Sequence, residues 1–224
     1  MAFVPERTTS TRSDTDEERP PVLAIERLAR RFGSHEVVKR LDLELDGGRR
    51  VALRGPNGSG KTTVLRCIAG TVAPTAGTVR VAGHEAGTVA ARERVGASFA
   101  QERSFYLRLT GADNLLFYSR LRAPSARAAR VDVDALADEL EIGHFLRQRV
   151  NSYSTGMVQQ LGFARALLGG PELLVLDEPT RSLDEQAVGR FWRALDRRSE
   201  VAVLIATHRP DDVERCDDEI RLPS

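Results

Sequence analysis

Lysine is almost missing from this chain: Lys39 and Lys61 are the only lysines among 33 basic residues. An arginine bias of that kind reflects codon usage more readily than function, and it makes Lys61 conspicuous. Cysteine is as scarce. Cys67 and Cys216 stand far apart in no metal-ligand spacing, so a disulfide framework and a zinc site are excluded and two reduced thiols are expected. No apolar run approaches the roughly 20 residues that a membrane-spanning helix needs. The opening Met1-Ala2-Phe3-Val4-Pro5-Glu6 has neither the basic nor the apolar region of a secretory leader, so the cytoplasm is the expected compartment. Neither sign of charge is in excess: 33 basic against 32 acidic residues leave a formal +1. That balance gives no reason to expect binding to nucleic acid or to an anionic membrane surface, and any membrane role must come through a partner.

What is present suits one compact domain: 224 residues, of which 41% are hydrophobic, can close a sizeable core. Residues 1 to about 20 are rich in Thr, Ser, Asp, Glu, Arg and Pro and read as a disordered tail. From Val22 to Leu28, and through Leu41-Asp42-Leu43-Glu44-Leu45, apolar and polar residues alternate as in half-buried antiparallel strands. Gly47-Gly48 is expected to turn a hairpin into Arg50-Val51-Ala52-Leu53. Two later runs, Leu173-Leu174-Val175-Leu176 and Val201-Ala202-Val203-Leu204-Ile205-Ala206, are apolar without alternation, as strands of a parallel sheet covered on both faces should be. Residues 107–168 carry helical periodicity and read as a helical insertion.

Gly55-Pro56-Asn57-Gly58-Ser59-Gly60-Lys61-Thr62 matches the Walker A pattern and lies between a strand and the helical Thr63-Val64-Leu65-Arg66-Cys67. The glycines let backbone amides turn inward around phosphate oxygens, and the helix start adds its positive dipole end. Lys61 can reach the β and γ phosphates, and the Thr62 hydroxyl can bind Mg²⁺. A chance match of the constrained positions somewhere in such a chain has a probability of about 10⁻³, so coincidence is a poor account. After the buried strand ending at Leu176 comes Asp177-Glu178-Pro179, an acid pair at the carboxyl end of a parallel sheet. Asp177 can hold Mg²⁺, and Glu178 can polarise the water that attacks a γ-phosphate. An acid pair of this kind is commonly a solvated turn; behind a Walker A loop it marks a P-loop NTPase.

Further motifs resemble the ATP-binding cassette (ABC) family, in that family's order, over about residues 22–222. Tyr153-Ser154-Thr155-Gly156-Met157 occupies the place of the ABC signature, usually LSGGQ. Thr155 and Met157 depart from the commonest form, and the variant is similar to that of many type-2 ABC exporters. Read without the family, Ser154 is a helix N-cap. The resemblance places Gln101 in the Q-loop, contacting Mg²⁺ or the attacking water, and His208 in the H-loop, contacting the γ-phosphate. It places Asp184 of Ser182-Leu183-Asp184 in the D-loop and Phe32 where an aromatic ring stacks on adenine, although a core Phe explains Phe32 equally well.

The implied fold is α/β: a RecA-like P-loop NTPase core with a mixed sheet, an N-terminal antiparallel β subdomain and an inserted α-helical subdomain at about residues 102–168, all within one ABC ATPase domain over residues 21–224. The implied activity is ATP hydrolysis with Mg²⁺ by the nucleotide-binding subunit of a transporter, with export favoured. ATP would be gripped by residues 55–63 of one cassette, with Gln101, Glu178 and His208 as catalytic residues, and by Ser154, Gly156 and Asp184 of a second cassette. By the resemblance, Arg103 to Thr110 together with Leu115-Leu116-Phe117-Tyr118 would border the permease on the cytoplasmic face of the membrane, although a helical-subdomain core explains their aromatic residues at least as well. A soluble ABC ATPase of DNA repair or translation is the alternative; it fits poorly, because such members carry long coiled coils or two cassettes in one chain.

Overall fold

The computed structural model describes residues 20–100 and 104–223. The expected tail, but for Pro20, and the Q-loop residue Gln101 lie outside the described residues. In chain order the strands are β1 (Leu23–Phe32), β2 (His35–Leu45), β3 (Arg50–Arg54), β4 (Ala76–Val81), β5 (His84–Glu85), β6 (Val95–Ser98), β7 (Leu173–Asp177), β8 (Ala202–Ala206) and β9 (Asp218–Arg221). The helices are α1 (Lys61–Ile68), α2 (Val89–Arg94), α3 (Gly111–Arg120), α4 (Ala126–Glu139), α5 (Gly143–Leu146), α6 (Thr155–Leu167), α7 (Glu185–Asp196) and α8 (Pro210–Val213).

Antiparallel and parallel pairing are divided between two sheets. The first has the order β2-β1-β4-β5 and is antiparallel throughout, with Leu23 opposite Leu45 and Ile25 opposite Leu43. The second has the order β6-β7-β8-β3-β9 and is parallel throughout. Gly47-Gly48 therefore turns the chain without making the expected hairpin: β2 and β3 belong to different sheets, and β3 pairs with β8 and β9. The glycine is needed for another reason. Gly48 has φ 77°, donates its N–H to Glu200 O at 3.0 Å, and would bring a Cβ to 2.6 Å from Ser199 O.

The unalternating runs do what two-sided burial requires. On β7, Leu173 and Val175 join the core beneath the antiparallel sheet and α1, while Leu174 and Leu176 face the helical layer. On β8, Leu204 takes the first side and Val203 and Ile205 the second. The second core joins the insertion to the sheet, because Leu115, Val133, Phe145 and Leu161 from the helices pack with Phe191 and Trp192 of α7. Arg122, just beyond α3, ties the insertion to the sheet edge: its guanidinium donates to the carbonyls of Leu168, Arg92 and Val95, each at 2.9 Å. Glu139 at the end of α4 receives both Nη atoms of Arg198, at 2.7 and 2.8 Å. Burial pushes the half-buried Cys216 thiol up to about 12 and the buried Cys67 thiol in the same direction, so both stay protonated.

Candidate nucleotide site

The loop from β3 into α1 turns through left-handed backbone at Gly58 (φ 84°) and Gly60 (φ 95°), where a side chain would be strained. Pro56, Asn57 and Gly58 form its exposed apex; Thr62 and Thr63 open α1, half-buried. Lys61 is folded back into the loop, only 8% exposed, its ammonium donating to Gly55 O at 2.7 Å and Pro56 O at 3.0 Å. Burial pulls its pKa down, against the opposing pull of the Glu178 and Asp177 carboxylates. Ser59 Oγ is buried and has no hydrogen-bond partner among the described residues.

Asp177 ends β7, a strand buried along its whole length, and meets the first turn of α1: Thr62 Oγ1 donates to Asp177 Oδ2 at 2.8 Å. The next residue, Glu178, has φ 49°, a left-handed conformation that costs a non-glycine residue about 1 kcal/mol or more. Its N–H donates to Ala206 O of β8 at 2.8 Å. Both carboxyl groups are buried, at 7% and 8% exposure, and burial raises both pKa values. The Thr62 hydrogen bond and Lys61 oppose the rise at Asp177; His208 opposes it at Glu178, while neighbouring Asp177 adds to it. His208 Nε2 stands 3.6 Å from Glu178 Oε1, so these two residues, 30 positions apart in sequence, converge.

Two residues with no assigned role in the sequence reading support this arrangement. Asp212 is 1% exposed, and its Oδ2 accepts from Thr180 Oγ1 at 2.7 Å and Thr207 Oγ1 at 2.9 Å, which ties the loop carrying Glu178 to the loop carrying His208. Gln159 of α6 donates to Glu178 O and accepts from Ser182 N. Apart from Thr207, five residues from Asp212, their partners are far along the chain, and no local motif points to them.

Ser154, Gly156 and Asp184 come together elsewhere. Ser154 Oγ caps α6 by accepting from Met157 N at 3.2 Å, and Asp184 Oδ1 caps α7 by accepting from Ala187 N at 2.8 Å. With Ser182, His144 and Arg190 they line an open cavity of about 480 Å³, to which no residue of the phosphate loop contributes. Phe32, at the end of β1, is 48% exposed, with the Arg30 guanidinium 4.3 Å from its ring centroid. An exposed ring at a strand end disfavours the core reading of Phe32 and leaves surface for stacking.

The residues fit a triphosphate and its cation. An uncapped helix start, a buried ammonium and the unpartnered Ser59 hydroxyl face the demands of phosphate oxygens, and Thr62 Oγ1 with Asp177 Oδ2 are the hard oxygen donors that Mg²⁺ takes. Strand, loop, helix and buried acid together define a phosphate-loop nucleotide-binding protein. Residues 38–181 match the family described as ABC transporter, and this chain belongs to that family as an ABC nucleotide-binding domain. It is 35% identical over 205 residues to the uncharacterized ABC transporter ATP-binding protein YdbJ of Bacillus subtilis, covering 89% of this chain and 65% of that protein. It is 39% identical over 195 residues to the Nod factor export ATP-binding protein I of Burkholderia orbicola, covering 84% of this chain and 63% of that one. The chain thus spans just under two thirds of these relatives' length. The fold matches a solved ATP-binding subunit of an ABC transporter with a TM-score of 0.82 at 24% identity, over 90% of this chain and 85% of that one. It also matches a dimeric bacterial ABC transporter cassette at 0.80 and 23% identity, over 90% and 94%.

Proposed function

We propose that the chain is the ATP-binding and ATP-hydrolysing subunit of an ABC exporter, driving a separate membrane subunit through nucleotide-dependent pairing of two cassettes. The observation that carries this reading is the meeting of Glu178, His208, Asp177 and Thr62 at the mouth of the parallel sheet beside Lys61. Lys61 turns from the carbonyls of Gly55 and Pro56 to phosphate oxygens, and the loop amides and Ser59 hydroxyl take the remaining ones. Thr62 and Asp177 are the residues that would hold Mg²⁺, which would supply neutralisation of phosphate charge. Glu178, oriented by its left-handed backbone, accepts the proton of the attacking water, and burial keeps it a stronger base than an exposed carboxylate. His208 stands beside it to meet the γ-phosphate; Gln101 is assigned to the water or the cation by family resemblance alone.

Ser154, Gly156 and Asp184 open onto a cavity of their own, which supports their service to a nucleotide held by a second copy or a related cassette. The fold's likeness to a cassette described as dimeric supports the same pairing. Export is favoured by the relative named for Nod factor export at 39% identity and one named for daunorubicin resistance at 32%; a sulfate/thiosulfate import protein matches at 31%. Tyr106 and Phe117, exposed with ring centroids 5.1 Å apart and flanked by exposed Leu107 and Leu109, suit the permease contact at the cytoplasmic face of the membrane. Phe105 is buried and serves the helical core instead. No helix of the described residues is long and apolar enough to cross a membrane. The domain bounds proposed are residues 21–224, with the helical subdomain at about residues 102–168.

Glu178→Gln tests the reading. Phosphate release is expected to fall about 10²–10³-fold while Mg-ATP stays bound and a two-cassette species appears on sedimentation. Unchanged turnover in a folded variant would overturn the assignment of the base.

A further inference from the structure

The signature helix and the catalytic glutamate of the same chain are joined by one side chain. Gln159 lies on α6 three residues after Gly156, on the same helix face. Its amide spans two backbone groups of the segment that follows β7: Nε2 donates to Glu178 O, and Oε1 accepts from Ser182 N at 3.1 Å. Glu178 O also accepts from Arg181 N at 3.3 Å, so the amide completes a closed turn over residues 178–182. One turn back along α6, a Cβ on Gly156 would stand 2.6 Å from Ser182 O. The helix therefore touches this segment at two successive points of one face, by backbone approach at Gly156 and by hydrogen bonds at Gln159.

What the amide grips matters more than that it grips. The peptide following Glu178 is held by Gln159, and Glu178 itself sits at φ 49°, a conformation that persists only where its surroundings fix it. A shift or tilt of α6 moves that carbonyl and with it the direction of the Glu178 carboxylate. We propose that Gln159 is a positioning residue that couples the two ATP sites of a cassette pair: the start of α6 reads the phosphate held by the opposite cassette, and Gln159 transmits that state to Glu178 of its own chain. This rests on the pairing proposed above. Each site then fires fully only when the other is occupied.

The test measures phosphate release against Mg-ATP concentration for the full chain, Gln159→Met and Gln159→Glu. Methionine keeps the length and helix preference without either hydrogen bond; glutamate keeps an acceptor for Ser182 N but loses the donor to Glu178 O. Sedimentation with ATP, binding of a fluorescent ATP analogue and the thermal midpoint are followed alongside. The wild type is expected to show a Hill coefficient of about 1.5–2, and both variants about 1. Their maximal rate should drop roughly tenfold or more, with analogue affinity within about twofold and the midpoint little changed. A Hill coefficient and rate retained in Gln159→Met, in a wild type that is cooperative and pairs, overturn the role of Gln159 alone. A wild type that stays single with ATP and hydrolyses without cooperativity overturns the pairing and this proposal together.

Discussion

Two helix starts in this chain face the same chemical problem and close in opposite ways. At α1 the N-cap is Gly60, in left-handed conformation and with no side-chain cap, so the first amides keep their free hydrogens and Lys61 rests on carbonyls of its own loop. At α6 the N-cap is Ser154, whose hydroxyl is already engaged by Met157 N, and the helix opens on a broad cavity. A cap of that kind stabilises its helix by about 1 kcal/mol, so omitting one at α1 keeps the amides available at a cost in helix stability. The difference teaches which half of the site can act alone. The phosphate loop gathers its amides, ammonium and hydroxyl within one chain, whereas the start of α6 opens on a cavity that no residue of that loop lines.

Lys61→Ala puts the greatest strain on that comparison. Removing the one ammonium in the loop should weaken Mg-ATP binding by about 3 kcal/mol, roughly a hundredfold, as read by titration calorimetry. Undiminished binding would break the claim that this end is the seat. Gly156→Val sharpens the other side. Its Cβ would stand 2.6 Å from Ser182 O, so α6 must lift from residues 178–182. Steady-state turnover should fall about tenfold or more, with Mg-ATP affinity of the single chain within about twofold. Equal loss of affinity and rate would erase the distinction between the two ends.

The smallest effect lies away from both. The Arg198 guanidinium, hydrogen-bonded to Glu139, holds that carboxyl below its ordinary value of 4.5. A carboxyl depressed in the folded state stabilises the fold above its unfolded pKa and loses that contribution as pH falls through the folded one. Glu139→Gln should therefore cost about 1–2 kcal/mol in urea unfolding at pH 7, with a gap that narrows below the ordinary glutamate value and no change in nucleotide binding. A gap independent of pH would show that the pair contributes through packing instead of charge.

The parts of this site visible in the sequence are those whose chemistry is local. A glycine loop with its lysine, or an acid pair closing an apolar strand, carries its own backbone requirements within about eight residues. The strands β7 and β8 were legible for the same reason, since two-sided burial leaves a run without alternation. The turn at Gly47-Gly48 makes no hairpin, against the local pattern, because strand partners are chosen across the whole chain: β3 passes over its predecessor to lie beside β8 and β9. Gln159 and Asp212 stayed hidden for a related reason. Glu178 and Ser182 lie 19 and 23 residues from Gln159, and Thr180 lies 32 from Asp212; only Thr207, five residues from Asp212, is near, and neither residue type announces such a bond. Gln101 is recognisable only by its order among the motifs.

The contact between Thr62 and Asp177 has a consequence for the order of arrival at the metal seat. Hydroxyl and carboxylate already satisfy one another at 2.8 Å, across the join between the first helix and the middle of the parallel sheet. A divalent ion held by these two oxygens would first have to part that bond, and a hydrated magnesium ion gives up its own waters reluctantly. An ion carried on a triphosphate would already have exchanged some of those waters for phosphate oxygens. The closed pair would then act as a latch that a loaded nucleotide opens more readily than free magnesium does.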